Sequence, residues 1–181
     1  MKKFIFVFLS IFLYLSNLSA KDLIPNYSLK ASGGVTDLVL KKEKIYVATT
    51  ASSVDIFNVN TKEKINSIKV PKIKDFMKDT IEARIYSIDV LDNNLLILSQ
   101  GENGGRNINI YKDGKLENII EDKDRLFIAY AKFIDENHII YALLSNQVYL
   151  YDIKNKKVVN EVQVSQSKFS NFKFTQDKSK I

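Results

Sequence analysis

From residue 35 onward the chain alternates short apolar runs with polar clusters, and the runs do not follow a helical period. The first group of runs lies at 35–40, 45–49, 54–59 and 65–70. A second lies at 84–90, 95–99, 107–111 and 115–120, and a third at 128–133, 138–143, 147–153 and 158–164. Each run is rich in Val, Ile, Tyr and Phe and is bounded by Asn, Asp, Gly or Lys, the signature of a β-strand. A further run at 169–174 resembles the start of a fourth group. The runs "IYVAT", "LLILS" and "IIYALL" are nearly continuous, which predicts strands covered on both faces.

The groups also repeat. "VDIFNVNTKEKINSIKV" at 54–70 matches "VYLYDIKNKKVVNEVQV" at 148–164 without a gap, 94 positions on. A shorter relative, "INIYKDGKLENII", lies between them at 108–120. Half of 94 falls in the range of about 40–50 residues typical of propellers and solenoids. Four short strands joined by tight polar loops make an antiparallel meander. One such sheet cannot bury both faces, whereas sheets stacked radially can.

The pattern over 23–174 resembles a WD40-like or YVTN-like β-propeller, although the Trp-Asp and Gly-His signatures are missing. "IFNVNTKEKI" and "LYDIKNKKVV" stand where such blades carry a hydrophobic-Tyr-Asp strand and its Gly-Lys turn. The resemblance implies an all-β chain: a partial propeller of about three four-stranded antiparallel blades. Two additions are expected, an N-terminal closing strand at 23–29 and the first strand of a fourth blade at 169–174. Closed propellers use about 4–8 blades, so 21–181 is expected to be the N-terminal part of a longer domain. The alternative is a complete small β-protein.

Composition adds a leader. Lys2 and Lys3 precede an apolar stretch at 4–15, and Ser19 and Ala20 close it with small residues. This is the layout of a secretory signal peptide over 1–20, with cleavage between Ala20 and Lys21. The stretch is shorter than the roughly 20 residues of a membrane span. Removal leaves no span expected, while retention would leave an anchor. The mature balance is 25 basic against 21 acidic residues, too small an excess to argue for nucleic acid. A leader without any cysteine fits a bacterial periplasm.

Loop parity divides the ends of the blades. One face collects "KKEK", "NTKEK", "KDGK" and "KNKK", including Lys41, Lys62, Lys64 and Lys156. The other carries the longest connection, "PKIKDFMKDTIEA" at 71–83, with "GENGGR" and "EDKDR". Function concentrates in long loops on a rigid scaffold. Phe76 and Met77 are the apolar residues at the centre of that connection, with Lys74 beside them and Arg106 in the neighbouring loop. Such a pair more often tucks onto its own blade, and otherwise anchors a partner.

Little reactive chemistry is visible. Without cysteine there are no thiolate metal sites, nucleophilic thiols or lipoprotein anchors. "GENGGR" lacks the Gly-Lys-Ser/Thr ending and helix of a phosphate loop and reads as a glycine-supported turn. His138 has no second histidine or serine elbow to work with and reads as structural or solvent-facing. No catalytic residue, cofactor or metal is therefore expected, and the partners are expected to be proteins. Two alternatives stand beside this binding or assembly reading. One is a propeller enzyme of the lactonase or quinone-dependent dehydrogenase type, with its site elsewhere. The other is an outer-membrane assembly scaffold, which the missing lipoprotein cysteine disfavours.

"ASGGVTDLVL", "KIYVATTASSVDIFNV", "IKVPKIKDFMKDTIEARIYSIDVL" and "ALLSNQVYLYDI" also resemble the accessory propeller family encoded with periplasmic nitrate reductase in ε-proteobacteria. That resemblance implies a non-catalytic periplasmic factor for nitrate reduction, with nitrate reductase components as partners. The leader gives a direct test. Residues 1–25 fused to a reporter active only outside the cytoplasm should direct its export. Mass spectrometry should then find Lys21 at the mature N-terminus; Met1 there would contradict cleavage.

Overall fold

The computed structural model describes residues 24–121, 126–175, 177, 178 and 180. The expected leader at 1–20, its cleavage point between Ala20 and Lys21, and most of "EDKDR" lie outside them. Three four-stranded antiparallel sheets follow one another in chain order. The first holds β1 (Val35–Lys41), β2 (Lys44–Thr49), β3 (Ser53–Asn58) and β4 (Lys64–Lys69). A small hairpin, β5 (Ile73–Lys74) and β6 (Thr80–Ile81), occupies the connection that follows. The second sheet holds β7 (Ile85–Leu91), β8 (Asn94–Gln100), β9 (Arg106–Lys112) and β10 (Lys115–Ile120). The third holds β11 (Ile128–Phe133), β12 (His138–Leu143), β13 (Gln147–Asp152) and β14 (Lys157–Gln163). Each is an up-and-down meander, as the alternation of apolar runs and turns predicts. The sheets are blades of an open arc: β1 packs beside β7, and β7 beside β11.

The 94-residue repeat reaches the level of single hydrogen bonds. Val70 N donates to Ser52 O, and 94 positions on Val164 N donates to Asn146 O. Val59 N to Glu43 O recurs as Ile153 N to Asn137 O. Ser52 and Asn146 share a positive φ, as do Lys62 and Lys156. The register shift between Ile56 and Phe57 recurs between Leu150 and Tyr151. Such bulges re-aim the outer strand and increase its twist.

The blades bury their faces against each other. Ala48, Val54, Ile56 and Ile68 of blade one meet Ile85, Ile88, Val90 and Ile97 of blade two. Leu96, Leu98 and Ile108 of blade two meet Ile128, Phe133, Ile139 and Tyr141 of blade three. The inner strands show what this stacking achieves. Ile88 and Val90 are 0% and 7% exposed, and Ala131 and Phe133 are each 1% exposed. By strand register their counterparts on β1 are Leu38 and Leu40, which are 62% and 64% exposed. No sheet among the described residues covers that face of blade one.

Polar clasps join the inner strands. Each is an edge strand, so some of its amides point away from the ladder. The Asp37 carboxylate accepts from Ile88 N of the next blade (2.9 Å) and from Leu38 N (2.8 Å). Asp89 repeats the device one blade on, accepting from Phe133 N at 2.9 Å. Lys132 Nζ returns from blade three to Ile88 O (2.9 Å), and Lys178 Nζ reaches Phe133 O (3.0 Å).

Two expected strands are corrected. Residues 24–29 and 169–174 are not strands. Their apolar spacing suits a strand, but a strand also needs a ladder, and among the described residues no strand pairs with either segment. They act as covers instead. Phe169, Phe172 and Phe174 pack on Ile140, Ala142 and Val148 of blade three. The Phe172 ring meets Tyr130 edge-on at 5.1 Å. At the other end, residues 24–34 lie against blade one. Gly33 runs so close to it that a Cβ would come 2.8 Å from that of Ala51.

That N-terminal cover is fastened by Asp55, whose side chain is fully buried. Its carboxylate accepts from Ser32 N (2.6 Å), Ser32 Oγ (3.0 Å), Ser67 Oγ (2.7 Å) and Lys64 Nζ (2.9 Å). Lys64 is thereby drawn away from the cationic face that the sequence predicts for it. Burial would raise the Asp55 carboxyl, but the Lys64, Ser67 and Ser32 bonds outweigh it and hold it at about 2. A folded pKa below the unfolded value contributes stability that is present above the unfolded pKa and is lost as pH falls through the folded one. Asp55→Ala should therefore cost about 2 kcal/mol in urea unfolding at pH 7, by orphaning buried donors. It should also flatten the decline in stability between about pH 4 and pH 2. An unchanged urea midpoint, or an unchanged acid limb, would contradict this role.

Candidate functional site

The antiparallel meander places the β2–β3, β8–β9 and β12–β13 loops on one end of the arc, together with the connections between blades. The connection at 71–83 is built rather than loose. β5 and β6 pair Ile73 with Ile81 and Lys74 with Thr80. At the tip, Asp75 Oδ1 accepts from both Met77 N and Asp79 N at 2.9 Å. Asp75 N donates to Asp79 O and Lys78 N to Asp75 O, each at 3.0 Å, with Lys78 at a positive φ. This closed turn leaves no room inside for the two apolar side chains. Phe76 is 94% exposed and Met77 68%. The pair does not tuck onto its own blade, contrary to the commoner expectation, because Asp75 organises the tip around its own carboxylate.

Lys74 and Phe76 border a groove of about 370 Å³ that continues over Ile73, Ile81, Gln100 and Gly104. Lys74 N donates to Glu102 Oε1 (3.1 Å), which ties the hairpin to the "GENGGR" loop. That loop is the expected glycine turn: Gly101 N donates to Gly105 O, and Glu102–Gly104 forms one 3-10 turn with Gly104 at φ +81°. A second depression of about 290 Å³ lies on blade three, bordered by Leu126, Phe127, Leu143 and Leu144. Phe127 is 52% exposed, and its ring lies 3.7 Å from where a Gly104 Cβ would be. The two depressions are therefore neighbours.

Arg106 stands at the junction. Its guanidinium lies 3.8 Å from the centre of the Tyr86 ring and donates to Ile128 O. Arg84 approaches the same ring at 5.6 Å, and Gln100 sits between the two arginines in the register of blade two. Burial pushes the Arg106 guanidinium below its ordinary value; Tyr86 opposes this and the like charge of Arg84 adds to it. The sequence pointed to Lys74, Phe76, Met77 and Arg106, and the structure brings Lys74, Phe76 and Arg106 to one surface. It did not point to Arg84, Tyr86, Phe127 or Leu144. An arginine two residues before an inner-strand tyrosine, and "LF" at a blade connection, were the available signals.

His138 Nδ1 lies 3.0 Å from both Asp135 oxygens inside the β11–β12 turn, where Asp135 also accepts from Asn137 N and His138 N. Among the described residues no three His, Asp or Glu side chains group in a way that would hold a metal. On the cationic end Lys156 pairs with Glu117, and Lys62 keeps its charge while resting over the Tyr27 ring. Two clefts flank Ile119, where blades two and three splay apart.

No family model matches the chain, and no curated protein matches it. Solved structures do. The chain is similar to the WD40 β-propeller domain of Doa1, at 13% identity and a TM-score of 0.61, over 84% of this chain and 47% of that one. It is similar to the computationally designed protein Ika4, at 13% identity and a TM-score of 0.57, over 87% of this chain and 89% of the design. The designed Ika8 matches at 12% identity and a TM-score of 0.53, over 78% of this chain and 40% of that one. The chain thus spans about half the length of the Doa1 domain. At these identities the likeness shows the fold: an all-β arc of WD40-type propeller blades.

Proposed function

We propose that this chain is a non-catalytic binding or assembly propeller of the periplasm. Its contact face is the end that carries residues 71–83 and 101–106. The observation that carries this reading is the hairpin tip. A turn braced by Asp75 holds Phe76 and Met77 out in water beside an apolar groove. Exposed aromatic and Met side chains on a rigid support are the usual anchors of protein interfaces. The WD40-type fold supports the same reading, because stacked blades hold loops rigidly at their ends.

The cellular role we propose rests on the resemblance to the nitrate reductase accessory family together with the leader expected at 1–20. The chain then supports periplasmic nitrate reduction by binding components of that system, without doing chemistry itself. Deletion of the gene should lower nitrate reductase activity or its maturation and spare other periplasmic respiratory enzymes. Unchanged nitrate-dependent growth would remove the nitrate role. Replacing Phe76 and Met77 by Ser in the same chain should abolish partner co-purification while the unfolding transition stays in place. Undiminished co-purification would move the contact elsewhere.

A further inference from the structure

We infer that this contact face takes an acidic peptide segment: an apolar side chain seats in one of the two depressions and a neighbouring carboxylate rests on Arg84 and Arg106. The inference rests on the contact-face reading and names the partner's chemistry. Its basis is a charge arrangement that the fold leaves open. Two guanidiniums share one aromatic ring, Arg106 at 3.8 Å and Arg84 at 5.6 Å. Among the described residues the ion pairs join Lys64 to Asp55, Lys72 to Glu82, Lys132 to Asp89, His138 to Asp135 and Lys156 to Glu117. Neither Arg84 nor Arg106 belongs to one.

Among the described residues the nearby acids at the hairpin and the glycine loop are engaged elsewhere. Asp75 holds the hairpin tip, Glu102 accepts from Lys74 N, and Glu82 pairs with Lys72 at 2.5 Å. Holding like charges together on a half-buried ring is unfavourable, and a carboxylate relieves it. Guanidinium forks match carboxylates in geometry, and they do so best when the ring below them fixes their plane.

The apolar half of the ligand has a place on either side. Gln100 lies between the arginines in the sheet and also borders the groove under Phe76. Arg106 donates to Ile128 O, one residue from Phe127 in the second depression. A carboxylate on the arginines therefore lies within reach of an apolar residue in either one. Lys74 adds a third cation at the rim. A basic or neutral segment gains nothing from this arrangement, which selects an acidic partner over the other peptides that a bare apolar groove would accept.

The test uses the full chain and two fluorescein-labelled peptides, one alternating Leu with Glu and one alternating Leu with Gln. In fluorescence anisotropy at low salt the Glu peptide should bind at least about tenfold more tightly. The advantage should shrink as salt rises, because rim charges are screened. Arg84→Ala should remove most of the discrimination and leave Gln-peptide affinity unchanged. Arg84→Lys should restore only part of it, since an ammonium lacks the fork. Phe76→Ser and Phe127→Ser together, which strip the aromatic wall from both depressions, should weaken both peptides alike. Arg84 is chosen because Arg106 also supports Ile128 O, so its removal could disturb the fold. Equal binding of the two peptides, or an Arg84→Ala effect shared by both, would overturn the inference. If neither peptide binds while protein capture still depends on Phe76 and Met77, the acidic ligand is refuted and the contact face stands.

Discussion

An inner edge strand has amides that its own sheet cannot satisfy, and the arrangement of this protein follows from how they are met. A propeller blade is a short meander whose first strand has a ladder on one side only. Here the preceding blade supplies the missing acceptor. Asp37 takes the amide of Ile88 and Asp89 takes that of Phe133. The carbonyl of Ile88 is in turn taken by Lys132. These bonds fix the height and spacing of successive blades, while the apolar faces behind them supply most of the stabilisation. Apolar packing alone is non-directional and would tolerate sliding. The clasps select one register, and that register brings the blade-two and blade-three loops together as one surface.

The two ends of the arc show what happens where no blade supplies the partner. On blade three, Phe169, Phe172 and Phe174 cover the face that a blade would cover, and Lys178 takes the carbonyl of Phe133 as Lys132 takes that of Ile88. On blade one, residues 24–34 are fastened through Ser32 to Asp55, and Leu38 and Leu40 stay open. The C-terminal cover copies the apolar contacts of a blade without its ladder, and the N-terminal one is held by polar bonds. This is why the side-chain pattern at 169–174 reads as strand and its backbone is not.

Much of the fold was legible because burial in a propeller is periodic at two scales. Within a blade, strands such as "IYVAT" and "LLILS" are buried on both faces and stand out as apolar runs. Between blades, the same hydrogen bonds recur, so 54–70 and 148–164 had to look alike. The clasps were not read, although an aspartate inside an apolar inner strand, "TDLVL" and "SIDVL", is their signal. Asp37 and Asp89 are offset by two positions in the strand register, which hides them from a repeat search. The sequence puts Lys64 on the cationic end because a turn lysine is ordinarily solvated; a buried carboxylate directly across the ladder from Ser67 leaves no trace in the sequence pattern. The site was half legible. Phe76 and Met77 stood out as apolar residues in a polar loop, whereas Arg106 reaches Tyr86, and Phe127 reaches Gly104, only through the folded arrangement of the blades.

Amide hydrogen exchange followed by NMR tests the clasp account most directly. Amides held by a clasp open only when neighbouring blades separate, so Ile88 and Phe133 should exchange among the slowest, far behind the exposed strand β14. In an Asp89→Ala chain, Phe133 should exchange at least about tenfold faster and Ile88 should be less affected. Exchange of Ile88 and Phe133 at the rate of β14 amides in the unaltered chain would contradict the account, because the blades would then be associating without their clasps.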